Sequence, residues 1–213
     1  MENKTRDEIL KRLSEVYADA KPALVFTNPF ELLIATMLSA QSTDVQVNKV
    51  TPALFKRFST PKALMQADIG EVESLIQSVG FYKTKAKHII EASAILTAEY
   101  DGVVPKSIEE LVVLPGVGRK TASVVISNAY DVPAIAVDTH VFRVSNRLGL
   151  AKAKDVYQTE MQLREAIPKS DWKDAHHWIL WHGRKFCKAR NPLCDACFLK
   201  DLCVYYSDAI EKE

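Results

Sequence analysis

All four cysteines of this 213-residue chain fall within 17 residues, spaced Cys187-x6-Cys194-x2-Cys197-x5-Cys203. Thiolates crowded so tightly can ligate one metal centre, whereas the partners of a disulfide framework are scattered along a sequence. The constraint bends the end of the chain around a point and demands something for that loop to pack against. By spacing alone, zinc and a [4Fe–4S] cluster both fit, and His182 can in principle replace one thiolate. In a reducing compartment such a cluster reads as a metal or cluster site, and with neither a secretory signal nor a membrane span in the sequence the expected address is the cytoplasm. The opening MENKTRDEIL has no apolar core behind its charges and is not expected to be a secretory signal. The longest apolar run, Leu32 to Thr43, is bounded by Glu31 and Asp44. It falls short of the ~18 residues that span a bilayer, so no membrane partner is expected.

The rest of the chain reads as helices. Glycine is scarce, 7 of 213 residues, which disfavours a turn-rich β-fold. Residues 4–18 place Ile9, Leu10, Leu13, Val16 and Tyr17 on one helical face. Asn28-Pro29-Phe30-Glu31 is a helix start, with Asn as N-cap, Pro in the first turn and Glu closing a capping box. The helix it opens, 29–40, is almost wholly apolar and so belongs at the centre of a core. Thr60-Pro61 repeats the cap-then-Pro signal, and Ser107-Ile108-Glu109-Glu110 is a second capping box. Tyr82 to Tyr100 and Asp171 to Phe186 carry helical periodicity. The run from Val132 to Val137 has strand-like residues but contains Pro133, and reads as a buried connector. It marks a domain boundary. The cysteine loop needs a partner, and the amphipathic N-terminal helix supplies one, so the second domain is expected to join both ends of the chain.

Leu114-Pro115-Gly116-Val117-Gly118-Arg119-Lys120-Thr121-Ala122 is the most informative stretch for chemistry. The residue before proline leaves the helical region. The two glycines allow positive φ. A second helix then runs from near Arg119 to about Tyr130, with its free amides facing the turn, which makes a phosphate site. This is the pattern of a helix-hairpin-helix, which grips the DNA backbone without reading bases. Lys120 lies in the first turn of that helix, where the dipole disfavours a cation. With partial burial it would present a neutral amine able to attack carbon. Asp138 precedes Thr139-His140-Val141-Phe142-Arg143 and reads as an N-cap. Facing the amine, its carboxylate could also handle protons and stabilise positive charge developing on a sugar.

The net charge of +1 neither demands nor excludes nucleic acid, so local distribution decides. Arg184, Lys185, Lys188 and Arg190 surround Cys187, and Arg143, Arg147, Lys152 and Lys154 form another basic stretch. Gln41 sits in a polar turn after the apolar helix. Phe81 sits beside Lys83, Lys85 and Lys87, where an aromatic on a loop can wedge into a base stack.

The hairpin with Lys120, the Val137-Asp138-Thr139-His140-Val141-Phe142-Arg143 segment and the cysteine spacing, in this order, closely resemble the endonuclease III family of DNA glycosylase/AP lyases. The resemblance runs from LLIATMLSAQSTDVQVN at 32–48 to the last cysteine. It implies an all-α fold of two helical domains flanking a DNA-binding cleft. Residues 22–132 would form a six-helix domain with the hairpin. Residues 1–21 plus 133–213 would form the cluster domain. It decides the metal in favour of a [4Fe–4S] cluster on Cys187, Cys194, Cys197 and Cys203. Lys120 would be the nucleophile and Asp138 the essential carboxylate. Gln41 would fill the space left by an extruded nucleotide, and Phe81 would stand where the family often has a leucine wedge. Leu114, Gly116, Val117, Gly118, Arg119 and Thr121 of the hairpin would contact DNA, with His140, Arg143, Arg184, Lys185, Lys188 and Arg190.

The implied activity is removal of oxidised pyrimidines from double-stranded DNA through a lysine Schiff base, with β-elimination 3′ to the abasic site. A monomer at the nucleoid, if the cell is bacterial, is expected. Adenine-mismatch glycosylases are similar, but usually lack the lysine, carry a Glu where this chain has Ala35, and extend into a further domain where ten residues follow Cys203 here. The 8-oxoguanine glycosylases lack the four cysteines. A DNA-binding module with structural zinc is the reading from outside the class.

Overall fold

A helix begins with amides that have no partner inside it, and this chain repeatedly supplies one from a side chain. The computed structural model describes residues 2–210, with side chains through 208. The helices are α1 (Asn3–Val16), α2 (Pro29–Ser39), α3 (Asp44–Arg57), α4 (Pro61–Met65), α5 (Ile69–Ile76), α6 (Tyr82–Glu99), α7 (Ile108–Leu111), α8 (Arg119–Ala129), α9 (Thr139–Leu148), α10 (Val156–Ala166), α11 (Trp172–Lys185) and α12 (Val204–Ile210). Lys169–Asp171 and Lys200–Leu202 form 3₁₀ turns, and there is no strand among the described residues. The caps are Asn28 for α2, Thr43 for α3, Thr60 for α4, Asp68 for α5, Ser107 for α7, Asp138 for α9 and Asp155 for α10. One capping box closes differently from its sequence pattern. Asn28 accepts from the Glu31 amide, but the Glu31 carboxylate takes the N–H and hydroxyl of Thr27.

The chain forms two compact units, residues 22–132 and residues 1–21 with 133–213. In the first, α2 is the central element. Eight of its eleven residues are buried, and α3, α6 and α8 pack around it. Its apolar composition follows from being surrounded rather than lying on a surface. Seven helical segments form here against the six that the resemblance implies, because Pro61–Met65 and Ile108–Leu111 each make a helix of barely one turn.

The second unit is built on α9 against α11, with α1 laid along α11. Ile9, Leu10, Leu13 and Tyr17 are buried as the periodicity predicts, but Val16 is 51% exposed, because α1 ends there and the face turns to solvent. The connector 133–137 is extended and contains no strand; Ile135 and Val137 enter the same core. His176 on α11 bonds through Nδ1 to the Ala136 carbonyl at 2.7 Å, satisfying connector backbone that no sheet would satisfy. Arg12 on α1 donates to Asp201 at 2.8 Å and to the Phe198 carbonyl at 3.0 Å, tying the N-terminal helix to the cysteine segment.

Candidate functional site

The hairpin joins α7 to α8 through Leu114–Gly118. Gly116 has φ +77°, and a Cβ there would stand 2.8 Å from Nδ1 of His88. Both the conformation and the contact require glycine. Gly118 differs from the sequence expectation. Its φ is −92°, an ordinary value, and a Cβ there would meet nothing within 4 Å. Nothing inside the protein explains a glycine at 118, but the bare backbone leaves the start of α8 open to approach. No side chain caps α8, so its first-turn amides face outward, as an anion site needs.

The hairpin's apolar residues are turned the other way. Leu114 is 2% and Val117 6% exposed, and the Val117 amide donates to the Leu114 carbonyl at 3.0 Å. Among the hairpin residues predicted to contact DNA, these two therefore serve the core, because the tight turn needs apolar anchors beneath it. Gly116, Gly118, Arg119 and Thr121 reach the surface to differing degrees. Lys120 is exposed rather than partly buried, on the first turn of α8.

Alanine at these two glycines should separate their roles. Gly116→Ala should cost about 1–2 kcal/mol from the left-handed backbone alone, lowering Tm by roughly 2–8 °C. Gly118→Ala should cost only about 0.5 kcal/mol as an N-cap change, yet weaken DNA binding about tenfold by blocking a backbone phosphate contact. Thermal melts and a binding titration check both. Parent-like binding by Gly118→Ala would show that the open approach at 118 is not used by phosphate.

Two further loops of the same unit lie together. Gln41 has φ +54° and Phe81 φ +57°, both left-handed without being glycine. Gln41 is exposed, and Phe81 is 67% exposed as the N-cap residue of α6. The Gly80 amide donates to Ser42 Oγ at 3.2 Å, and Gln46 Nε2 to Ser78 Oγ at 2.6 Å. Lys85, grouped by sequence with a basic patch, is buried instead and bonds to the end of α2. Burial holds its ammonium below the usual lysine range.

In the other unit, Asp138 caps α9. Its Oδ1 accepts from the His140 and Val141 amides, each at 2.8 Å. The carboxylate is thereby oriented by backbone rather than by a mobile partner. His140, half-buried, is pushed toward its neutral form chiefly by burial, and contacts Arg143 through Nδ1 at 3.1 Å.

All four cysteines, with His182, line one cavity. Two arginines one turn apart on α9 shape the loop around it. Arg143 donates to the carbonyls of Cys187 (3.0 Å) and Gly183 (3.1 Å), and Arg147 to those of Lys188 (2.7 Å) and Ala189 (3.2 Å). Arg143, expected on DNA, and Arg147, expected in a basic stretch, thus both bond to backbone carbonyls around the loop. Their i,i+4 spacing ahead of the cysteines was the available signal. His182 is a partner of the thiols and not a substitute for one. Its Nδ1 meets the Tyr17 hydroxyl at 3.3 Å and its Nε2 meets Cys197 Sγ at 3.5 Å. Burial pushes the pKa of His182 down to about 4, so the ring is neutral between Tyr17 and Cys197. Burial together with the neighbouring thiols pushes Cys194, Cys197 and Cys203 up. Thiols so placed favour ionisation only around a cationic centre. Among the described residues, no three His, Cys, Asp or Glu side chains are close enough to hold a single metal ion. Four thiols around one cavity suit a larger multi-iron centre. Lys188 and Arg190 are exposed on this loop, while Arg184 and Lys185 lie over the Trp181 ring.

A helix-hairpin-helix beside an exposed lysine, on a chain with a four-thiol loop, defines the class of base-excision DNA glycosylases. Residues 34–169 match the HhH-GPD superfamily of base excision DNA repair proteins, and residues 187–203 match the iron–sulfur binding domain of endonuclease III. Endonuclease III of Escherichia coli K12 is 46% identical over 205 residues, covering 96% of this chain and 97% of that protein. Endonuclease III of Bacillus subtilis is 47% identical over 195 residues, covering 91% and 89%. A solved structure of a trapped endonuclease III–DNA covalent intermediate is similar at a TM-score of 0.93 and 44% identity, covering 99% of both chains. The chain belongs to the endonuclease III family. It is a DNA glycosylase/AP lyase of base excision repair that binds DNA and carries a [4Fe–4S] cluster in its cysteine loop. No helix among the described residues is long and apolar enough to cross a membrane.

Proposed function

We propose that Lys120 is the nucleophile, Asp138 the essential carboxylate, and an oxidised pyrimidine in duplex DNA the substrate. The observation that carries this reading is the place of Lys120. It is an exposed amine on the first turn of a helix whose bare N-terminus is built for a phosphate. A backbone phosphate seated on the hairpin amides would hold the strand while the damaged nucleotide is flipped from the stack. The lone pair of Lys120 Nζ attacks the sugar C1′, and the N-glycosidic bond breaks with its electron pair leaving on the base, which takes up the proton that Nζ gives up as the new bond forms. The C1′–O4′ bond then breaks as O4′ takes up a proton, and the Nζ lone pair closes an iminium to C1′. Loss of a C2′ proton then expels the 3′ phosphate as the C3′–O bond breaks. Water hydrolyses the imine and frees the lysine.

Asp138 stabilises the cationic sugar and accepts protons. The bonds to Oδ1 fix the carboxylate without supplying a cationic partner that would compete for its charge. Gln41 and Phe81 enter the duplex, as filler and wedge. Phe81 keeps an apolar surface where relatives often have leucine, with a larger and flatter ring to stack.

Cys187, Cys194, Cys197 and Cys203 hold the cluster. When bound it would staple the loop that carries Lys188 and Arg190, and the reaction as written requires no redox step. Arg143 and Arg147 hold the loop's carbonyls, while Lys188 and Arg190 meet DNA phosphates. The protein acts as a monomer in the cytoplasm, at the nucleoid if the cell is bacterial.

Borohydride trapping on a duplex containing one thymine glycol tests the reading. A covalent protein–DNA adduct is expected, because borohydride reduces the iminium. Release of the damaged base without an adduct would replace the lysine by water as nucleophile. Neither base release nor adduct on this duplex would overturn the oxidised-pyrimidine assignment.

A further inference from the structure

We propose that Lys85 is a positioning residue that locks the Gln41 and Phe81 loops into one rigid reading head for the extruded-nucleotide gap. The proposal rests on the reading that those two side chains enter the duplex.

Lys85 is 7% exposed on the first turn of α6. An ammonium has three donors. Nζ places bonds on the Leu38 carbonyl at 2.8 Å, the Ala40 carbonyl at 2.6 Å and Ser42 Oγ at 3.0 Å. All three acceptors flank Gln41. Two are at the C-terminal end of α2, where carbonyls lack intrahelical partners and the dipole favours a cation. The third, Ser42 Oγ, also accepts the Gly80 amide, the residue before Phe81. One side chain thus closes the turn holding Gln41 and, through a single hydroxyl, reaches the turn holding Phe81.

The conformations at the two turns need such a tie. Left-handed backbone at a residue other than glycine persists only where its surroundings over-determine it. Gln41 and Phe81 both adopt it, and both are exposed, so their own side chains contribute little packing to hold it. Burying an ammonium is costly, and a neutral group could end α2 at lower cost. The lysine is explained by its reach: one point charge satisfies three acceptors along the Gln41 turn. Sequence alone hides this, because Lys83, Lys85 and Lys87 look like one solvated basic run.

The test uses a duplex carrying a tetrahydrofuran abasic-site analogue opposite 2-aminopurine, whose fluorescence rises when it is unstacked. Lys85→Met, Ser42→Ala, Phe81→Ala and Gln41→Ala are compared with the parent. Lys85→Met should abolish most of the rise. Its preference for the analogue over intact duplex should fall about tenfold, the scale of a lost charged hydrogen bond, with intact-duplex affinity within about twofold of the parent because the hairpin is untouched. Ser42→Ala should shift the same two readouts in the same direction, by about threefold. Should Lys85→Met fail to fold, Ser42→Ala decides alone, and a parent-like Ser42→Ala then overturns the proposal. A parent-like signal from folded Lys85→Met overturns it, as does an equal loss on both duplexes, which marks a merely structural lysine. If instead Phe81→Ala and Gln41→Ala both keep the parent's signal, the insertion reading itself fails and takes the proposal with it.

Discussion

Replacing Lys120 with glutamine is expected to lower strand cleavage by roughly 10³–10⁶-fold, the range for loss of a nucleophile, and to abolish borohydride trapping. Gln is neutral, of similar reach and unable to form an iminium. Lys120 is exposed on α8, so the fold should not register the change. A surface substitution of this kind shifts stability by no more than about 0.5 kcal/mol. DNA binding should persist through the hairpin amides, with the salt dependence reduced by about one unit of slope for the lost charge. Single-turnover cleavage of a thymine glycol duplex, read beside a binding titration, checks each part. A Lys120→Gln protein that cleaves at the parent's rate would remove lysine from the chemistry altogether.

Asp138 offers a sharper separation, because its capping role and its proposed chemical role can be varied independently. Asp138→Asn keeps an oxygen for the His140 and Val141 amides, and asparagine caps helices as well as aspartate does. The melting temperature should therefore stay close to the parent's. Activity should still fall about 10²–10⁴-fold, because the amide carries no charge and accepts no proton. Asp138→Ala should lose the cap too, at a further cost of about 1–2 kcal/mol in stability. Melting curves and single-turnover base release on the three proteins give the answer. Near-parent activity in Asp138→Asn would reduce the residue to a cap and nothing more.

Helix starts were largely legible because capping is local. Asn28, Thr60, Ser107 and Asp138 announce themselves by residue type and by their neighbours over the next three positions. The apolar α2 and the cysteine loop were legible for a similar reason, being short patterns with one physical explanation each. The hidden features depend on contacts distant in sequence. Nothing near Lys85 marks it as the lysine that bonds across 43 to 47 positions to the turn after α2. Arg143 and Arg147 look like surface cations until the loop 40 residues later is placed against them. Tyr17 meets His182 across 165 positions. Gly118 misled in the opposite direction. The local pattern assigned it a backbone need that belongs to Gly116, whereas its bareness makes sense only for something arriving from outside.

The unit made of residues 1–21 and 133–213 also sets the order of events during synthesis. Helix α1 leaves the ribosome well before the α11 residues that cover Ile9, Leu10 and Leu13. At roughly 5–20 residues per second, the interval from residue 21 to residue 185 is on the order of 10–30 s. A 14-residue helix without its packing partner is marginal in water. The contiguous unit 22–132 can meanwhile complete its own core as soon as α8 emerges. The nascent chain thus carries a finished hairpin-bearing body flanked by an unpaired leading segment. The tie from Arg12 on that segment to the carbonyl of Phe198 can form only once the cysteine loop has followed α11 out.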